Sequence, residues 1–280
     1  MDYIKPTDLV KNMLTAGETK AALSIKDLLI RGFLSGALLG FATSLALTAT
    51  AQTGTALVGA LVFPGGFVMI VLLGLELVTG SFAVTTLAAV DGRKSWSQVT
   101  ANLTWVFLAN LIGSIAYGLL LYVVLTDMGT TAPSGIAAKI VSIAEAKTTA
   151  YAAHGFAGLV TVFVKAILCN WMVCLGVVMA MTSHSTVGKI VAMWLPVLTF
   201  FAQGFEHSVV NMFMIPTGML LGAKVSFSEW WLWNQIRVTL GNLVGGFLFT
   251  GLFLYWTYRP VKSVTADDSV AATSALPVRT

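Results

Sequence analysis

Four side chains able to ionise fall inside long apolar runs of this sequence: Glu76, Lys165, Glu206 and His207. A charged residue at the centre of a bilayer costs about 2.5–3.5 kcal/mol on insertion scales, so each of the four needs a partner or water. Glu76 and Glu206 sit in matching surroundings, Gly74-Leu75-Glu76 and Gly204-Phe205-Glu206. A glycine and a carboxylate weaken a helix at membrane depth. Each glutamate therefore reads as support for a helix break, satisfying backbone N–H groups freed there, with a proton relay as the alternative. His207 has Leu77 rather than a second histidine at its counterpart position. Imidazole has a reference pKa near 6.5, so modest perturbation toggles its charge near neutral pH. At a break near the midplane, His207 reads as a pore residue. Phe63 and Phe67 precede the first break and Phe200 and Phe201 the second. Where such rings line a path, they form dry constrictions that a hydrated ion does not cross.

The elements that must position these residues are spans. Of 280 residues, 57% are hydrophobic and 10% charged, and mean hydropathy is +0.85, which excludes an ordinary water-soluble globule. No charge lies between Arg31 and Glu76, between Lys94 and Asp127, or between Arg237 and Arg259. Each gap holds a span, since about 20 apolar residues cross the hydrocarbon core. The net charge of +4 comes from residues flanking apolar runs, a topological signal rather than a nucleic-acid surface. Cys169 and Cys174 share one apolar stretch, so neither a disulfide framework nor a metal site is indicated, and no cofactor is expected. Residues 1–26 lack the apolar core of a signal peptide, so the first span is expected to be an uncleaved anchor.

Residues 5–34 begin with an amphipathic pattern, expected to lie on the membrane surface as a helix capped by Thr7 or Asp8. Six spans follow, at about 28–50, 57–90, 103–125, 156–182, 187–221 and 236–258, the second and fifth broken. Residues 126–150 read as a polar loop and residues 260–280 as a disordered tail. The divisions are thus 1–27, a channel domain at 28–259, and 260–280.

The breaks belong to a duplication. Gly74-Leu75-Glu76 recurs 130 positions later, and Ala109-Asn110-Leu111-Ile112-Gly113 recurs as Gly241-Asn242-Leu243-Val244-Gly245 after 132. Three spans per copy, an odd number, invert the second, giving inverted repeats at 28–125 and 156–259 with a discontinuous helix each. Such an arrangement marks a substrate path between the repeats. In this topology one side carries eleven lysines and arginines, from Lys5 to Arg279, against Lys139, Lys147, Lys224 and Arg237 on the other, so both termini are expected to be cytoplasmic. Glycines in the third and sixth spans, Gly113, Gly118, Gly241, Gly245 and Gly246, permit close helix packing, within or between protomers.

The run Gly204-Phe205-Glu206-His207-Ser208-Val209-Val210-Asn211-Met212-Phe213-Met214-Ile215-Pro216 resembles the signature of the formate/nitrite transporter family. Cys169-Asn170-Trp171-Met172-Val173-Cys174-Leu175 resembles its fourth-span motif, and residues 73–81 its second-span loop. The resemblance extends over residues 23–258. It implies an all-α, aquaporin-like protomer of six transmembrane helices, a homopentamer with one pore per subunit, in the inner membrane. It assigns His207 to the central pore histidine, Thr79 to the threonine facing it, and Asn170 to the pore asparagine. Phe63 and Phe200 fall on the outer constriction, and Phe67, Leu77 and Val78 on the inner. The N-terminal helix resembles a segment linked to pH response in relatives. The chain departs from the family pattern in three respects: Leu75 and Val78 in the second-span loop, Gln203, and His154 in place of an outer-funnel lysine, with Lys147 the substitute from an enlarged loop.

Formate is the substrate expected first and nitrite second, with protons as partners and the anion crossing as the neutral acid or paired with an imidazolium. Two other classes compete. A membrane-embedded enzyme using Glu206 and His207 is disfavoured because adjacent helical residues point about 100° apart, and no metal-ligand motif is present. A membrane anchor subunit of a respiratory enzyme would use the same residues for quinone or haem, but one interior histidine argues against bis-histidine ligation.

Overall fold

The computed structural model describes residues 2–259. Their regular structure is helical, save an isolated antiparallel bridge between Tyr3 and Ser183. The order is α1 (Pro6–Ala21), α2 (Ile25–Thr53), α3 (Ala56–Val62), α4 (Pro64–Leu72), α5 (Val78–Val90), α6 (Trp96–Thr126), α7 (Ile136–Ala146) and α8 (Thr149–Ala153). Then come α9 (Gly155–Ala180), α10 (Thr186–Ala202), α11 (Ser208–Leu220) and α12 (Phe227–Tyr258), the last with π-helical turns at Trp230–Gln235 and Gly245–Leu252. The expected tail at 260–280 lies outside the described residues.

Four helices, α2, α6, α9 and α12, are long and apolar enough to cross a membrane, and the other apolar stretches, Ala56–Leu72, Val78–Val90, Thr186–Ala202 and Ser208–Leu220, are shorter. The short helices α5 and α11 are buried along nearly their whole length, from Val78 to Ala89 and from Ser208 to Gly218. A helix apolar all round belongs at the centre of a bundle. The long helices wrap them and turn Phe41, Leu45, Leu120 and Val124 outward. Close approach of the long helices depends on missing side chains: a Cβ at Gly36 of α2 would strike the Asn110 carbonyl of α6, and one at Gly245 of α12 the Ile167 carbonyl of α9. Gly113, Gly118, Gly241 and Gly246 likewise face neighbours in the same chain. These glycines therefore serve packing within the protomer and carry no information on an oligomer.

Four local expectations are corrected. The N-terminal helix is separate from α2, which restarts with Ser24 Oγ accepting the Asp27 N–H at 3.1 Å. α1 starts at Pro6 without a side-chain cap, because proline at the first helical position already fixes φ. Its apolar face does not rest on lipid: Leu9, Val10, Met13 and Leu14 pack on Val84, Leu87, Val178 and Tyr255. Within the expected loop 126–150, Ala137, Ile140 and Ala144 recur at helical spacing and form the buried face of α7, which packs on α11.

Two ends of the molecule are thereby defined. Asp2, Arg93 and the 182–185 turn gather at one: Asp2 accepts from Ser183 Oγ at 2.6 Å and from the His184 and Ser185 N–H groups at 2.7 Å, while Arg93 pairs with Glu18 and Asp91. These bonds, the Ser183 hydroxyl foremost, hold the Asp2 carboxyl below its ordinary range. α7, α8 and Lys224 stand at the other end, where the Lys224 N–H donates to Glu145 at 3.0 Å.

Candidate functional site

Between α4 and α5, and again between α10 and α11, the chain leaves the helix for five residues, Leu73–Leu77 and Gln203–His207. Both exits need a left-handed residue, supplied by Gly74 (φ 63°) and Gly204 (φ 64°). After each, the next N–H reaches back across the helix end, Leu75 to the Ile70 carbonyl at 3.0 Å and Phe205 to the Phe200 carbonyl at 3.2 Å.

The new helix starts are held by asparagines. Asn110 Oδ1 accepts the Val78 N–H at 2.9 Å while its Nδ2 donates to the carbonyls of Glu76 and Gly32, both at 2.8 Å. Asn242 repeats this: Oδ1 accepts the Ser208 N–H at 2.8 Å, and Nδ2 donates to the carbonyls of Glu206 at 2.9 Å and Ala166 at 2.7 Å. A free primary amide suits the task, since one side chain offers both an acceptor and two donors.

The glutamate carboxylates do something else. Glu76, 2% exposed, takes Lys20 Nζ of α1 on both oxygens at 2.8 and 2.9 Å. Glu206, also 2% exposed, accepts from Lys147 Nζ and Asn211 Nδ2 at 2.8 Å and from Tyr151 Oη at 2.9 Å. Burial foremost, with the nearby Glu206 charge, pushes the Tyr151 phenol up, so it remains a donor. The expected capping by the carboxylates is thus corrected. Neutral amides satisfy the backbone, and the carboxylates hold cations from α1 and from the C-terminal end of α7.

His207 caps α11. Its Nδ1 accepts the Val210 N–H at 3.2 Å, and its Nε2 lies 3.1 Å from Thr79 Oγ1 on α5. With Nδ1 accepting, the proton of the neutral ring belongs on Nε2, which donates to Thr79 and leaves the threonine hydroxyl hydrogen free to point elsewhere. Phe200 stacks on the imidazole at 5.6 Å, and Phe63 meets Phe200 edge-on at 5.7 Å. Asn170 spends its amide nitrogen on the backbone carbonyls of Thr79 at 3.1 Å and Asn242 at 2.6 Å, tying α9 to the start of α5 and to the α12 residue that holds the start of α11.

Two cavities approach this centre. One, of about 430 Å³, includes Lys20, Phe67, Leu77, Gly80 and Lys189 in its wall, and the other, of about 380 Å³, includes Lys147, Phe200 and His207. Gly80 follows Thr79 in sequence, so the Thr79–His207 contact stands between the cavities.

The comparisons with known proteins bear on this arrangement. The family model described as formate/nitrite transporter matches residues 7–256. The chain belongs to the formate/nitrite transporter family. It is similar to a probable formate transporter of Methanothermobacter thermautotrophicus, 36% identical over 273 residues that cover 91% of this chain and 97% of the relative. Among solved structures it is similar to an FNT family ion channel, with a TM-score of 0.78 at 30% identity, covering 91% of this chain and 100% of that one. It is also similar to a pentameric formate channel with formate bound, with a TM-score of 0.69 at 27% identity, covering 84% and 98%. This member of the formate/nitrite transporter family is therefore an integral membrane protein with several apolar helices.

The transporter-family chain brings His207, Thr79, Asn170, Phe200 and Phe63 together, with Phe67 and Leu77 on the opposite cavity. Val78 is apart: it lines a groove with Phe82, Leu103, Phe107 and Leu240 on another face. The reason is its place as the first residue of α5, where its N–H is fixed to α6 and its side chain turns toward that helix. At the α8 end, His154 is exposed while Lys147 reaches Glu206. Sequence reasoning missed the work of Lys20, Tyr151, Asn110 and Asn242. For the asparagines a signal existed, since they head the duplicated Asn-Leu-x-Gly segments.

Proposed function

We propose that this protein is a channel for small monovalent anions, formate first and nitrite as the alternative, and not an enzyme or a respiratory anchor. Family membership supports the class of function, and likeness to a pentameric channel with formate bound favours formate. In this reading α3–α4 with α5, and α10 with α11, are the broken second and fifth of six spans, arranged as two inverted repeats in a channel domain at 28–259. Further parts of the reading are a homopentamer, like the pentameric relative, and an inner-membrane location with cytoplasmic termini. The matched roles of Asn110 and Asn242 support the inverted repeat.

The observation that carries the mechanism is the double engagement of His207. An imidazolium would need a hydrogen on Nδ1, where the Val210 N–H already points, so carrying a second proton and capping α11 exclude each other. The ring therefore acts as a neutral Nε2–H donor to Thr79, and the Thr79 hydroxyl hydrogen is the group offered to the permeant. A bare anion would lose too much hydration between Phe63, Phe200, Phe67 and Leu77. The anion takes up its proton in a mouth and crosses as the neutral acid, with Thr79 donating to its carbonyl oxygen. Asn170 positions the start of α5 directly and that of α11 through Asn242.

The test is radiolabelled formate uptake into proteoliposomes, competed by nitrite, across a pH series. Uptake by the wild type should rise as pH falls. His207→Asn, which keeps a good cap, should lose most uptake while retaining its oligomeric size. An unchanged rate and pH profile in that variant would sink the mechanism.

A further inference from the structure

The cavity that ends at His207 holds three lysines in its wall, Lys139, Lys147 and Lys165, against a single carboxylate, Glu206. The lysines are not equivalent. Lys147 is spent: its Nζ sits 2.8 Å from Glu206, and the pair is nearly out of solvent, at 17% and 2% exposure. An anion arriving there meets a neutral couple. Lys165 is on α9, five residues before Asn170, and no carboxylate pairs with it among the described residues. Its Nζ lies 5.9 Å from the centre of the Tyr151 ring, whose hydroxyl donates to Glu206. An aromatic face attracts the ammonium and fixes its place without neutralising its charge. Lys139 of α7 is exposed at the same cavity and also has no carboxylate partner among the described residues.

The inverted frame does not impose this arrangement. The carbonyls of Gly32 and Ala166 take equivalent bonds from Asn110 and Asn242, so the residue before each, Arg31 and Lys165, is matched. Arg31 is partly buried, has Asp27 at 4.0 Å, and does not line the opposite cavity. The opposite wall also holds a lysine with no carboxylate partner among the described residues, Lys189, but it belongs to α10 and not to the position matched with Lys165.

We propose that Lys165 is the anion-holding residue of this mouth. Its ammonium, seated on Tyr151, binds a small monovalent carboxylate or oxyanion within the cavity before His207, and Lys139 adds attraction at the rim. The inference rests on the channel reading above. It moves the anion contact away from Lys147, the lysine expected from sequence, to one that the Lys147–Glu206 pair leaves uncompensated.

Two measurements test it. In proteoliposomes, Lys165→Met should raise the half-saturating formate concentration about fivefold, the scale of a half-exposed ion pair, with the saturating rate little changed. Lys165→Arg should restore it, and raised salt should weaken wild type more than Lys165→Met. Independently of flux, sodium formate and sodium nitrite should each protect the Lys165 amine of the wild-type protein from acetylation, read by peptide mass spectrometry, more than they protect exposed Lys224. Equal protection of both lysines, or an unchanged half-saturation in a correctly assembled Lys165→Met, overturns the subsite. If the wild type moves neither anion while Lys165 is still protected, the channel reading fails and the subsite stands.

Discussion

Replacing Asn242 by alanine isolates the element on which the site depends. The side chain makes three buried hydrogen bonds, to the Ser208 N–H and to the carbonyls of Glu206 and Ala166. The losses differ in kind. The Ser208 N–H is an orphan donor at a helix start, and leaving it unpaired costs about 1–3 kcal/mol. The Glu206 carbonyl, in a non-helical segment, loses a partner of similar worth, whereas the Ala166 carbonyl lies inside α9 and keeps its helical bond. The expected destabilisation is about 3–5 kcal/mol, built from two unsatisfied groups and a smaller third. Asn242→Asp should be no better, because it retains the acceptor but loses both donors and adds a buried charge. Unfolding of the reconstituted protein by SDS titration, followed by tryptophan fluorescence, measures the loss, and formate uptake should fall with it because His207 heads the same helix. A stability within about 1 kcal/mol of wild type in Asn242→Ala, with intact uptake, would refute the claim that this amide holds the helix start.

Lys147→Met leaves the Glu206 carboxylate without its cation and should cost about 3 kcal/mol, the lower end for a broken buried pair, since Tyr151 and Asn211 still donate. Adding Glu206→Gln should recover much of that loss in a double-mutant cycle; strict additivity would show that the pair is not coupled. The Asp2 clamp should be insensitive to pH across the neutral range. Because its folded pKa is lowered, the stabilisation is present above the ordinary value of 3.8 and disappears as pH falls through the folded value. Hydrogen exchange of residues 3–5 should therefore be flat from about pH 5 to about pH 8, after correction for intrinsic rates, and Asp2→Asn should raise it throughout. Protection that fades between about pH 7 and about pH 5 would mean that another group holds this segment.

What the sequence made legible was local or repeated. Charge-free runs located α2, α6 and α12, and the glycine-acid pairs located the two non-helical segments, because composition and glycine act where they stand. The α7 helix escaped because its face of Ala137, Ile140 and Ala144 is narrow and small, and becomes a packing surface only against α11. The satisfaction of the breaks also escaped. Lys20 and Glu76 are 56 residues apart and Lys147 and Glu206 are 59 apart, and no spacing rule connects them. Asn110 and Asn242 were visible as markers of the duplication, but their role depends on carbonyls brought from α2 and α9.

The centre itself departs from the repetition that frames it. Counting 130 residues forward pairs Leu77 with His207 and Thr79 with Val209, so each helix start contributes one polar and one apolar member. His207 and Thr79 bond across the two halves, while Leu77 and Val209 are buried, at 3% and 0% exposure. Two histidines and two threonines would place four polar groups in a desolvated centre, each needing a partner that the short helix starts do not supply. A single crossed pair needs only itself, and with Nδ1 engaged by the Val210 N–H it leaves one hydroxyl hydrogen to offer. The duplicated frame supplies two capped helix starts, and the unequal substitution of their first residues leaves one hydroxyl donor among buried apolar side chains, the arrangement on which the proposed passage of a neutral acid rests.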